Sequence, residues 1–283
     1  MKNILKKKNV KKSNSSHNGS FEKNSVGCNA KLFYFVLFFF FVHMTLIFTG
    51  VLRGSNLLSN LFTIFFSFIA FLSLFFLYRK VPSNFPRERV GNILLLTSVF
   101  LFFLGDFFWA VEEIFLGNLV PLGGVADILW NLAYFSLIAS VGFFISFSFV
   151  SSYPKIIFLL VLGLIFGGVF LYWDISEDIE EGTFNLPHFI QDLYPVYDII
   201  LIVMISILIW PIIGYGNKFF IPWFLFGLGV ISRIIFDLVF VSISENGIYY
   251  TGHPMDIFYV AFYVFLVSYA SFKCRGELKS YNQ

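Results

Sequence analysis

The 283-residue sequence is 58% hydrophobic and 22% aromatic, with 42 Phe, and only 13% charged, about half the charged share of an ordinary soluble domain. Its mean hydropathy is +0.81, and a water-soluble core of this size has no room for so much aromatic surface, so lipid must cover part of it. The formal net charge of +2 excludes little, because in a membrane protein the distribution of charge matters more than the sum.

Residues 1–31 read as a polar tail rich in Lys, Asn and Ser, a composition that predicts disorder. It is no secretory signal, because the apolar stretch after Lys31 is long enough to span a membrane. Asn14-Ser15-Ser16 and Asn18-Gly19-Ser20 match the glycosylation pattern, which a cytoplasmic tail would not use. Eight apolar segments of spanning length follow: Leu32–Val51, Leu57–Tyr78, Val90–Leu116, Val125–Val150, Ile156–Trp173, Leu193–Gly214, Phe219–Ser244 and Met255–Phe272. The breaks between them carry Gly, Pro and charge, as at Arg53-Gly54-Ser55, Pro82 and Pro86, and Pro121-Leu122-Gly123-Gly124. The acidic stretch from Asp174 to Glu181 reads as a solvated loop. Residues 273–283 form a short second tail.

Basic residues near spans collect in the cytoplasm. With the N-terminus inside, 17 of the 19 Lys and Arg residues fall on the cytoplasmic side. The exceptions are Arg53, in a short outer turn, and Arg233, within a helix. Asp174, Glu177, Asp178, Glu180, Glu181, Asp192 and Glu245 all fall outside. The sequence therefore predicts a multi-pass protein of the plasma membrane, all-α, with about eight transmembrane helices and both termini cytoplasmic. Cys28 and Cys274 then lie in a reducing compartment, which predicts free thiols rather than a disulfide, with acylation of Cys274 as an alternative.

An internal repeat is visible. Asp106 is followed 21 residues later by Asp127-Ile128-Leu129-Trp130-Asn131-Leu132-Ala133-Tyr134, and Asp237 is followed 19 residues later by Asp256-Ile257-Phe258-Tyr259-Val260-Ala261-Phe262-Tyr263. In each copy the second Asp has an aromatic residue three positions on and a Tyr seven positions on. Asn60 and Asp198 occupy similar places in the second helix of each copy. The chain divides into two four-helix repeats, residues 32–152 and 153–272, parallel because each has an even number of spans.

Ionisable residues inside a membrane mark function or a compensating pair. Asp106 lies about 24 Å, and Asp237 about 27 Å, from the cytoplasmic start of its helix. Asp198 sits five residues below the outer start of its own. Arg233 and Asp237 are four apart and can pair; Asp106 and Glu113 share a helix face. Asp127 and Asp256 each begin a helix, where a carboxylate meets the dipole and free N–H groups. One polar, acidic, outward-facing cavity follows, with Asp106, Asp198, Arg233 and Asp237 as floor, and Asp127 and Asp256 at the rim. Trp109, Trp130, Tyr134, Tyr197, Tyr259 and Tyr263 stand near its walls. Each residue also has a structural reading: ion pair, helix cap, interfacial anchor or packing contact. His43 reads as a hydrogen-bonded packing residue. His188 and His253 lack any metal spacing, so no metal or cofactor is implied.

No motif of hydrolytic, kinase or protease chemistry is present; a faint echo of intramembrane aspartyl proteases has its motifs in reversed order. The basic tail fits anionic lipid rather than nucleic acid. Gly105-Asp106-x-x-Trp109-x-x-x-Glu113 and Asp127-x-x-Trp130-x-x-x-Tyr134, with the echo Asp237 and Asp256-x-x-Tyr259-x-x-x-Tyr263, resemble the multi-helix membrane sensor modules that precede diguanylate cyclase or histidine kinase domains in bacteria and archaea. Only 11 residues follow Phe272, so the resemblance implies a stand-alone module that signals through a separate partner. The expectation is a non-catalytic, sensor-like protein binding a small ligand, lipid or ion through Asp106, Trp109, Glu113, Asp127, Tyr134, Asp198, Arg233, Asp237, Asp256 and Tyr263. A secondary transporter or a structural or assembly protein are the alternatives.

Overall fold

In the computed structural model, residues 30–81, 85–117, 123–147, 153–181, 186–213, 217–245 and 247–280 are described. The basic tail with its glycosylation patterns, and Cys28, lie outside the described residues. The described residues form eight helices: α1 (Ala30–Phe48), α2 (Asn56–Tyr78), α3 (Pro86–Phe115), α4 (Val125–Phe147), α5 (Tyr153–Glu181), α6 (Leu186–Ile209), α7 (Asn217–Glu245) and α8 (Asp256–Ser280), with a short 3₁₀ turn at Trp210–Ile212 after α6. The described residues contain no strand. Among them, seven helices are long and apolar enough to cross a membrane; the eighth, α5, carries the uncharged apolar run Ile156–Trp173. This is the make-up of a multi-pass membrane protein.

Helices begin and end where local chemistry dictates. Pro86 opens α3, where its missing N–H costs nothing. Gly50, Gly54 and Gly117 turn the chain with positive φ after α1 and α3. One expectation is corrected: the acidic stretch Asp174–Glu181 is the last part of α5 rather than a loop. Backbone hydrogen bonding within a helix does not depend on apolar side chains, so the helix runs past its apolar segment.

Interhelical packing uses small residues and hydroxyls, because lipid supplies no hydrophobic drive between helices. The Ser98, Ser136 and Ser140 hydroxyls of one seam donate to Ala133, Leu94 and Gly91 carbonyls at 2.7–2.8 Å, stitching α3 to α4. A side chain at Gly163 or Gly167 would meet Val203 or Val196, so α5 approaches α6 through these two glycines. α8 is the most enclosed of the seven spans and α1 the least. Accordingly α8 buries residues on all sides, Phe262, Tyr263, Leu266, Val267 and Tyr269 among them, whereas α1 exposes Tyr34, Phe35, Phe38 and Phe41. α8 packs against α7, α2 and α1, and α4 against α3 and α6.

His43 is buried against the Phe62 ring, with centroids 5.0 Å apart. Its Nδ1 has no hydrogen-bond partner among the described residues. Cys274, buried near the end of α8, is disulfide-bonded. That overturns the expected free thiol, which rested on compartment chemistry rather than on distance.

Candidate functional site

Asp106 of α3 and Asp237 of α7 lie within the last third of their helices, at the end of the bundle where α2, α4, α6 and α8 begin. A cleft of about 550 Å³, counting its open mouth, lies between them.

The floor is a hydrogen-bonded cluster around two carboxylates and one guanidinium. Arg233 Nε stands 3.1 Å from Asp237 Oδ2, the ion pair that their four-residue spacing predicts. The same Nε donates to the Tyr134 hydroxyl at 2.9 Å, and that hydroxyl donates in turn to Asp237 Oδ2. Asp106 accepts from three donors: the Tyr259 hydroxyl and Trp130 Nε1 (3.3 Å) on Oδ1, and the Tyr263 hydroxyl (2.8 Å) on Oδ2. Gly105 has no room for a Cβ against the Trp130 indole, so its lack of a side chain lets Trp130 reach the neighbouring carboxylate. The Arg233 guanidinium lies over the rings of Tyr259 and Phe102, 4.2 and 4.8 Å from their centroids. Such faces attract a cation in a low-dielectric setting. Arg233 is 2% exposed, and its Nη1 has no hydrogen-bond partner among the described residues.

Three more acids surround the mouth, Asp256 lining it and Glu113 and Asp127 behind lining side chains, each tied to two donors. Glu113 Oε2 accepts from Asn60 Nδ2 at 2.6 Å and the Thr251 hydroxyl at 2.9 Å. Asp256 accepts from the Gly252 N–H at 2.7 Å and the Tyr249 hydroxyl at 3.1 Å. Asp127 accepts from the Gly123 N–H at 2.6 Å and the Tyr194 hydroxyl at 2.9 Å. Asp127 and Asp256 thus hold the start of their helix to a glycine four residues back, each glycine having positive φ. The Tyr249 hydroxyl, in the loop between α7 and α8, is pushed well above its usual pKa range by burial, then by the charges of Asp256 and Glu113. It therefore stays a donor.

Gly252 is irreplaceable on two counts. Its φ of +92° costs other residues about 1–2 kcal/mol, and an added Cβ would lie 2.7 Å from Ser59 Oγ and 2.8 Å from the Leu52 carbonyl. Gly252→Ala is expected to lower the thermal midpoint of the detergent-purified protein by several degrees. An unchanged midpoint would show that this loop is not held in place.

Of the ten residues singled out from sequence, Asp106, Trp109, Arg233, Asp237 and Asp256 line the cleft. Tyr134, Tyr263, Glu113 and Asp127 bond to lining side chains or to each other's partners from behind. Asp198 departs from the expectation: it is 2% exposed but does not line the cleft. It shares a helix face with Tyr194, which does line it, but lies one turn, about 6 Å, deeper. Neither of its carboxylate oxygens has a hydrogen-bond partner among the described residues; the Arg233 charge reaches it. Of the other expected wall residues, Trp130 and Tyr259 line the cleft, whereas Tyr197 stacks on Tyr134 behind it and donates to Asn131 Oδ1. Sequence reasoning missed Thr63, Tyr194, Phe236, Phe240, Tyr249 and Thr251. Asn60 alone had a signal, its match in position to Asp198.

A second polar cluster, also missed, closes the opposite end. Lys273 Nζ of α8 lies 2.5 Å from Glu88 Oε1 of α3, both side chains 9% exposed, and 4.2 Å from the Trp223 ring centroid. No three His, Cys, Asp or Glu side chains among the described residues gather as a metal site.

No protein-family model, curated protein or solved structure matches this chain.

Proposed function

We propose that the chain is a non-catalytic, sensor-like protein of the plasma membrane that binds a small ligand, lipid or ion in this cleft, which opens outward, and signals through a separate partner protein. The observation that carries the reading is Arg233 Nη1, a buried cationic donor with no protein acceptor among the described residues, on a side chain that lines an open cleft. An unmet donor of this kind costs about 1–3 kcal/mol, which a bound acceptor would recover. The carboxylates beside it are already bonded, so the cluster is preorganised rather than collapsed. The sensor assignment rests on the sequence resemblance.

Two parallel four-helix repeats account for a reciprocity across the site. Tyr263 of α8 bonds Asp106 of α3, and Tyr134 of α4 bonds Asp237 of α7. Gly252 and Tyr249 serve Asp256 as Gly123 and Tyr194 serve Asp127, and α2 packs on α8 as α6 packs on α4. That reciprocity also suits a secondary transporter, in which halves rock about a central site.

Thermal-shift screening of purified protein against ions, lipids and amphiphiles tests binding. A ligand at about 100 times its Kd stabilises by about 2.7 kcal/mol, and the shift should shrink in Asp106→Asn and Asp237→Asn. If nothing stabilises the wild type selectively, the binding reading falls.

A further inference from the structure

The cleft has two unlike halves. On the floor, Arg233 is matched by Asp237 on its Nε edge, and Asp106 is held by three donors. At the mouth, Thr251 and Gly252 are consecutive residues that bridge two acids, Glu113 and Asp256. Arg233 is the only basic residue among the described lining residues, so nothing lining the mouth offsets this pair. Beside them the rings of Trp109, Phe240 and Tyr249 meet edge to face, with centroids 6.2 Å apart for Trp109–Phe240 and 4.8 Å for Phe240–Tyr249. None of these three rings lies under the Arg233 guanidinium, whose ring contacts are Phe102, Trp130, Tyr134, Phe236 and Tyr259.

A bare cation suits this mouth poorly. No three metal-ligating side chains gather among the described residues. Each carboxylate accepts two hydrogen bonds and keeps further lone-pair sites. That leaves room for a diffuse charge resting on ring faces with carboxylates nearby, as an alkylated ammonium does. The floor asks for something different: Arg233 Nη1 needs an acceptor oxygen.

We infer that the ligand is a small organic ammonium that also carries an oxygen acceptor. The ammonium sits among Trp109, Phe240 and Tyr249 beside Asp256, with Glu113 as a second negative group behind the lining Asn60 and Thr251, and the oxygen accepts from Arg233 Nη1. This rests on the binding reading above and names the ligand class for that same site. The chemistry is shared by free amino alcohols and by choline or ethanolamine lipid headgroups.

The test compares choline with 3,3-dimethylbutan-1-ol, which has the same shape and hydroxyl but no charge, by isothermal titration of the full chain in detergent. Choline should bind at least about tenfold tighter, ~1.4 kcal/mol. Tetramethylammonium, which lacks the oxygen, should bind about fivefold more weakly than choline, the scale of one lost hydrogen bond. Glu113→Gln, whose amide can still meet Asn60 and Thr251, should reduce the advantage of choline over its neutral isostere to about threefold or less; Asp256→Asn should act the same way, and if it fails to fold, Glu113→Gln decides alone. Repeating the titration in nanodiscs separates the sources. Choline binding seen with phosphatidylglycerol but competed away by phosphatidylcholine identifies a headgroup, and equal binding in both identifies a soluble ligand. If the neutral isostere binds as tightly as choline, or acetate binds more tightly, the ammonium class is wrong while the site stands. If no probe of any charge gives saturable heat, the binding reading itself fails.

Discussion

Arg233→Ala is expected to destabilise the protein by about 3–5 kcal/mol, the cost of removing one partner from a buried ion pair. Among the described residues, the guanidinium is the one positive charge lining a cleft with three lining carboxylates. Its Nε serves both Asp237 Oδ2 and the Tyr134 hydroxyl, and its stem and head pack among five aromatic rings. Without it, Asp237 keeps only the Tyr134 hydroxyl and Asp106 loses its nearby countercharge. Asp237→Ala alone should cost less than Arg233→Ala, because Arg233 retains Tyr134, the ring faces and Asp106. The double variant should be more stable than the sum of the single effects predicts, by about 0.5–3 kcal/mol. Reversible unfolding in mixed micelles reads all three. Additive losses would show that the two residues do not act as a unit.

The second large effect is at the other end. Lys273→Met should cost about 3–5 kcal/mol, because Glu88 would stay buried with its ion-pair partner gone. Glu88 lies in the first turn of α3, where the helix dipole favours a carboxylate, so the lower end of that range is expected. Glu88→Gln combined with Lys273→Met should recover much of the loss, since no charge is then stranded. The pair also separates the two functional readings. Glu88 and Asp106 are 18 residues apart on α3, about 27 Å, and α8 grips α3 at both places: Lys273 at one, Tyr259 and Tyr263 at the other. A transporter must open the Glu88–Lys273 end, so breaking this clasp should change solute flux into proteoliposomes. A sensor that binds only at the cleft should keep its ligand affinity in the double variant. Altered flux with unchanged affinity would favour the transporter.

The sequence alone settled the helices. Crossing a bilayer demands about 20 apolar residues and internally paired backbone, and both conditions are local in the chain. The depth of Asp106 and Asp237 follows from counting residues along a helix of fixed rise, and the Arg233–Asp237 pair from a four-residue spacing within one helix. Helix limits were less legible where polar residues continue a helix, as in the acidic end of α5.

Partnerships between helices were settled by tertiary structure. Which tyrosine reaches which aspartate, that Asp198 lies a turn below the cleft, that Thr251 and Tyr249 fold over its mouth, and that Lys273 finds Glu88 all depend on the rotation of each helix about its own axis and on its slide against its neighbours. Composition and spacing fix neither quantity; the packing of Gly105 under Trp130 and of serine hydroxyls onto facing carbonyls does.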